Sequence, residues 1–328
     1  MAADSVVGAI GNNLSTESKE FLQQVLTQIT GTVAIQDVGG AKAVYGTEST
    51  GLITGALPGV NSVVFGSLKD TNFAVDVVLP ANIGVNFQGP STNVSVQKAV
   101  DFFNELIAKE LPVGNTNPDV QAKAQALLNA VDLVEQVVDN NNAAVRYLDV
   151  KNTQTTPTGN VKLVGVTGAN EIVAINAGDL GKQQQLILQD LEKVILVNQA
   201  NVIVEGSKST LVIGDNADQS ITGGQGADTL VGGGGSDTLV GGAGSDTFGF
   251  ASNGNFRIGD FNVKEDKFAF NLEGVNNFQD LVKLVTKVEE TSSGVTYTFA
   301  NNSVITLVGM KDSDITADLI SFTIGGAG

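Results

Sequence analysis

Residues 223–249 read Gly223-Gly224-Gln225-Gly226-Ala227-Asp228-Thr229-Leu230-Val231, then Gly232-Gly233-Gly234-Gly235-Ser236-Asp237-Thr238-Leu239-Val240, then Gly241-Gly242-Ala243-Gly244-Ser245-Asp246-Thr247-Phe248-Gly249. In each nonapeptide, glycine holds the first, second and fourth places, aspartate the sixth and a large apolar residue the eighth. A flexible glycine linker has no reason to keep those offsets three times in succession. Outward from this core, apolar residues recur every nine positions: Val194, Ile203, Val212, Ile221, Leu230, Leu239 and Phe248. A fixed short period means stacked coils that bury one continuous ladder.

The repeat has a chemical logic. Its glycines tolerate positive φ and let carbonyl oxygens point inward, and its aspartate adds carboxylate oxygen. Calcium is a hard cation that takes about six to eight oxygen ligands, so such a turn suits it. The three nonapeptides match the RTX (repeats-in-toxin, hemolysin-type calcium-binding) template at every defined position, and the chain resembles that family over roughly residues 194–328.

The resemblance implies a right-handed parallel calcium β-roll. Each nonapeptide is half a coil, and Ca2+ ions sit between alternate repeats. It implies a ligand set of Gly224, Gly226, Asp228, Gly233, Gly235, Asp237, Gly242, Gly244 and Asp246. Asp228 and Asp246 then share the best-formed site. Asp237 lies on the other side between Gln219 and Asn255, both neutral, where binding is expected to be weaker. One to three ions are expected on this pattern. The stretch Gly214–Thr222 is a degenerate repeat whose Asp218 comes one position early, which favours a turn residue over a ligand. Downstream, Ile258-Gly259-Asp260-Phe261 and Asp266-Lys267-Phe268 resemble the segment that closes such rolls. Asp260 either completes a last calcium site or caps the roll by hydrogen bonding. The pattern leaves open whether Asp215, Asp218 and Asp266 also bind metal.

Composition removes whole classes of chemistry. The 328 residues include no histidine, cysteine or tryptophan. Ser-His-Asp and Cys-His catalysis, His-zinc sites, thiolate metal sites and disulfides are therefore excluded. The formal net charge of −17 disfavours nucleic acid and anionic membranes and suits a collector of cations. No run of 18 apolar residues is present, so no transmembrane segment is expected. Met1-Ala2-Ala3-Asp4-Ser5 has no basic region of the kind that opens a secretory signal.

Ahead of the repeats the text is mixed. Residues 14–29 carry the helical stripe Phe21, Leu22, Val25, Leu26 and Ile29. Between about 31 and 90, β-prone runs (Val33–Ile35, Ser62–Phe65, Phe73–Leu79, Ile83–Phe87) alternate with turn residues. Ser95 caps a helix with Val96, Val100, Phe103 and Ile107 on one face. Asn117-Pro118-Asp119 opens another, bearing Val120, Ala124, Leu127, Val131, Val134 and Val138. Strands return at Val145–Val150, Lys162–Val166 and Glu171–Ile175. After the repeats come a helix at Phe278–Val285, strands at Val295–Phe299 and Val304–Val308, and an apolar tail.

The expected organisation is mainly β with α. An N-terminal α+β domain (1–190) precedes the β-roll (191–260) and a small C-terminal α/β cap that carries the secretion-signal region (261–328). The resemblance implies a bacterial extracellular protein, passed through a type I secretion exporter without a cleaved leader and folded on external calcium. Together with the missing catalytic residues, it favours a non-enzymatic surface-layer, fibre, biofilm-matrix or adhesin component. Such a protein would self-associate or bind a cell-surface or matrix partner. The competing readings are a carboxylate-type glycosidase and a ligand-binding module, each carried by an RTX export domain.

Overall fold

The computed structural model describes residues 33–324 except 39–40, 47–50, 55–62, 70–73, 80–82, 91–92, 111–123, 125–126, 129–130, 132–143, 153–159, 166–170, 182 and 199–200. The expected helix at 14–29 lies outside the described residues.

Short strands separated by turns alternate between two sheets. One sheet contains β3 (Gly51–Thr54), β6 (Ile83–Gln88), β7 (Ala144–Asn152), β9 (Glu171–Asn176), β11 (Lys193–Val197), β13 (Leu211–Ile213), β15 (Thr229–Val231), β17 (Thr247–Phe250), β19 (Lys267–Phe270) and β23 (Ile320–Ser321). The other contains β4 (Val63–Lys69), β5 (Ala74–Leu79), β8 (Val161–Gly165), β10 (Gln185–Gln189), β12 (Asn201–Glu205), β14 (Ser220–Thr222), β16 (Gly235–Val240), β18 (Gly254–Ile258), β22 (Val304–Val308), β21 (Gly294–Phe299) and β20 (Val285–Thr291). From β7 and β8 up to β18 and β19, each strand pairs in parallel with the strand two places along, and β18 and β19 then pair in parallel with β22 and β23. Antiparallel pairs close both ends: β3·β6·β7 and β4·β5·β8 at the start, β20·β21·β22 at the finish. Strands β1 (Val33–Val38) and β2 (Ala41–Gly46) form a separate antiparallel pair.

Alternation explains the core. On one sheet Val173, Val194, Val212, Leu230, Phe248 and Phe268 stand in register and face inward. On the other Leu186, Val202, Ile221, Leu239, Ile258 and Leu307 do the same. This is the expected ladder with one correction. Val202, not Ile203, pairs with Ile221, and Ile203 is only partly buried. The coil there is one residue longer than the period, and a one-residue slip moves a strand's side chains to the other face.

The sheets also cross residue 190 without a break. Parallel pairing already joins Ala144 to Glu171 and Ile172 to Lys193. The coils thus start well before 191, where the roll was expected to begin. They lacked a legible period because their lengths vary. Glu192 hydrogen-bonds back to Glu171 across 21 residues, whereas Thr210, Asp228 and Asp246 follow one another at 18.

Helix α1 (Val96–Glu110) covers the outer face of the first sheet. Ser95 sits at its start and accepts from the Lys98 amide. Val100, Phe103 and Leu106 pack with Leu127 on Val145, Tyr147, Ile172, Ala174 and Ile195. Ala124, Leu127 and Val131 are helical, as the Pro118 segment predicts. Double coverage explains why every residue of β9 is buried. At the far end α2 (Phe278–Leu284), capped by Asn277, precedes β20. Stacked phenylalanines plug the roll there. Phe261 lies on Phe268 at 4.0 Å and Phe250 on Phe270 at 4.8 Å between ring centroids.

Candidate metal centre

The turns between strands carry the chemistry. Pairing of β15 with β17 puts Asp228 beside Asp246, and pairing of β17 with β19 puts Asp246 beside Asp266. Each carboxylate accepts the amide of the coil before it. Thr210 N donates to Asp228 Oδ1 at 2.8 Å, Asp228 N to Asp246 Oδ1 at 2.8 Å and Asp246 N to Asp266 Oδ1 at 2.9 Å. A file of aspartates therefore runs up one edge of the roll.

On the other edge Asp237 lies close to Asp218 and Asp215. Gln219 N donates to its Oδ1 at 2.8 Å, as the stacking of alternate repeats predicts. The neighbour beyond is Phe256, not the expected Asn255. The next coil on this edge is again one residue longer than the period. Gly241 N and Gly242 N both donate to the carboxylate of Asp260, at 2.8 and 2.9 Å. Asp260 thus makes the hydrogen bonds expected of a cap. Asp218 accepts from Ser236 N at 2.8 Å on the next coil, so it ties coils together rather than shaping its own turn. Asp215 accepts from the Asn198 and Ala217 amides and from the Gln219 side chain.

Several observations fit a bound cation. Asp237 Oδ2 and Gln219 Oε1 are buried acceptors without a hydrogen-bond partner. Oxygens bare of donors in a dry site cost free energy unless something positive meets them. Burial pushes the Asp237 carboxyl up to about 8, with Asp218 and Asp215 adding like charge. It pushes Asp246 up to about 6, with further contributions from Asp266, Asp228 and Asp260. Asp228 and Asp266 are raised for the same first reason, loss of water.

Carbonyls complete the donor set. Among the described residues no group of three or more acidic side chains converges on one point, so backbone oxygen has to supply much of any shell. The glycines make this feasible. A Cβ at Gly244 would lie 2.1 Å from Gly226 O, and one at Gly242 would lie 2.5 Å from Gly224 O. Gly233, Gly235, Gly242 and Gly244 adopt φ of +88°, +86°, +91° and +129°. Gly224 and Gly226 are not among the positive-φ residues. Their neighbours below are Gly206 and Lys208, from a coil without the repeat signature. The last two repeats thus use the left-handed turn, and the first uses its glycines for close approach alone.

Gly244→Ala combines a backbone conformation closed to L-residues with a clash against a carbonyl. The left-handed strain alone costs about 1–3 kcal/mol. The variant is expected to unfold at markedly lower denaturant than the wild type when both are saturated with calcium. An unchanged midpoint in equilibrium denaturation would show that the turn relaxes freely.

Asp266 is the residue whose role the spacing left open. It follows Asp246 by 20 residues rather than 18. The local pattern of aspartate two places before a buried apolar residue (Asp228 and Leu230, Asp246 and Phe248, Asp266 and Phe268) would have found it.

Two parallel sheets of very short strands, joined by glycine-aspartate turns, define a parallel β-roll of the calcium-binding type. The family model for the RTX calcium-binding nonapeptide repeat (4 copies) matches residues 213–248, which includes the degenerate repeat. The chain carries RTX repeats, and they bind calcium. No curated protein is matched by the chain.

Proposed function

We propose that this chain is an extracellular, non-enzymatic structural protein whose roll folds and assembles on calcium, as part of a surface layer, fibre, biofilm matrix or adhesive surface. The observation that carries the reading is the file of buried aspartates with raised carboxyls, together with the bare oxygens of Asp237 and Gln219. Gly224, Gly226, Asp228, Gly233, Gly235, Asp237, Gly242, Gly244 and Asp246 would hold the ions, with Asp266 extending the first file. Asp260 would lend charge to the last turn while keeping its hydrogen bonds to Gly241 and Gly242.

Without the ion, like charges repel and glycine-rich turns have too much entropy to order. In a cell low in calcium such a segment stays loose enough to thread through a type I exporter, and it sets once outside. The absence of cysteine supports this, since no oxidation step is needed. Among the described residues no helix is long and apolar enough to cross a membrane.

The assembly reading is tested by adding millimolar calcium to the purified full chain, followed by light scattering and negative-stain microscopy. Sheets or filaments are the expected result. A monomer that takes up calcium and stays monomeric at high concentration would remove the structural role and return weight to a binding module.

A further inference from the structure

The C-terminal cap contains a cavity that calcium binding does not explain. It is a half-open hollow of about 280 Å³ between the last coils and α2. Phe250, Phe268 and Phe270 line it from one sheet, Ile305 from the other, and Leu281 and Val285 from α2 and β20. Protein interiors leave few voids larger than a water molecule. An apolar hollow of this size, walled by aromatic rings, is of the order used to hold a small organic molecule. Val282 and Val288, exposed at 50% and 45%, line the same cavity and leave apolar surface in water beside it.

The polar end of the cavity selects the ligand. Tyr297 and Asp312 both line it, and the Tyr297 hydroxyl donates to Asp312 Oδ1 at 2.8 Å. The Asp312 amide in turn donates to Glu290 Oε2 at 3.0 Å. Asp312, Glu290 and Asp314 all act on Tyr297 as negative charges. Lys283 pairs with Asp280 and Lys287 with Glu289, and Lys311, which precedes Asp312, is outnumbered by the carboxylates of Asp312, Glu290 and Asp314. An acid headgroup would meet repulsion here. Behind Phe250 and Phe270 a second, smaller and separate cavity holds the buried Ser252 hydroxyl, which has no hydrogen-bond partner.

We propose that this cavity binds a compact apolar molecule, aromatic or short-chain, that is neutral or cationic, and that calcium in the roll gates the binding. The gating rests on the calcium reading above. Strands β17 and β19, which supply the three phenylalanines, begin directly after Asp246 and Asp266. The hydrogen bond between those two aspartates ties the coils together beside the cavity. Whatever orders that turn orders the wall. Coupling of this kind is reciprocal, so ligand also tightens calcium binding.

The test uses the full chain and the neutral fluorophore N-phenyl-1-naphthylamine, titrated in millimolar calcium and in chelator, with calcium uptake measured by calorimetry in parallel. One saturable probe site per chain is expected in calcium, weakened at least tenfold in chelator. Its anionic relative 1-anilinonaphthalene-8-sulfonate is expected to bind more weakly. Val285→Trp fills the cavity and should weaken the probe at least tenfold with calcium uptake unchanged. If that variant fails to fold, Val282→Trp on the exposed lip serves the same purpose. Normal calcium uptake without saturable probe binding overturns the cavity's role, as does equal probe affinity in a folded tryptophan variant. Equal probe affinity with and without calcium overturns the gating, and tighter binding of the anionic probe overturns the charge selection. Absence of calcium uptake by the wild type is the separate failure of the calcium reading.

Discussion

Chelation of calcium from the purified chain is expected to abolish amide protection across residues 211–270 in hydrogen exchange. The strands there are three to six residues long, and their turns are built largely of glycine. Neither property supplies much order unaided, because each glycine fixed in a turn costs more backbone entropy than any other residue. Binding energy is folding energy when the ligands meet only in the folded chain. At a free concentration one hundred times the dissociation constant, each ion adds about 2.7 kcal/mol. Two or three ions together approach the whole stability of a typical domain, about 5–15 kcal/mol. The earlier coils should keep their protection, since the outer face of β7, β9 and β11 is covered by α1 and holds a second apolar cluster. Uniform protection in both buffers would mean that the apolar ladder alone holds the roll.

The repeats were legible because three constraints coincide in nine residues: a turn that needs glycine, a ligand that needs carboxylate and a core that needs a large side chain. Where one constraint lapses, legibility lapses with it. Val202 replaces Ile203 in the core because a longer coil shifts the face, and a run such as Asn201–Glu205, apolar at three successive positions, gives no sign of which one points inward. Before 191, β7 and β9 bury both faces under α1, so β9 reads as a nearly continuous apolar run and passed for part of an ordinary sheet. Asp266 escaped because its coil is longer than the period, although its local offset to Phe268 is the regular one. The cavity in the cap depends on how three separated segments meet, and no local pattern encodes that.

Replacing Asp237 by asparagine should change the sign of its effect with the solution. Asparagine keeps the shape and one acceptor for the Gln219 amide but removes the charge. In millimolar calcium the variant loses a ligand that carries formal charge, and calcium affinity on this edge should fall at least tenfold. In chelator the same change should stabilise the chain at neutral pH, because it removes a carboxylate that burial holds up at about 8. The pH dependence follows from linkage. The ordinary carboxyl value of 3.8 stands for the unfolded chain, and the folded value lies above it. Between the two the folded state binds more protons, so stability is fully present below about 3.8 and falls as pH rises toward about 8. Acid should therefore stabilise the calcium-free wild type, a proton standing in for the ion, and this Asp237 contribution to the slope should vanish in Asp237→Asn. Denaturation midpoints at pH 5 and pH 8, with and without calcium, decide the matter. An asparagine variant that is less stable under all four conditions would show that the Asp237 carboxylate is held by protein donors rather than by a metal.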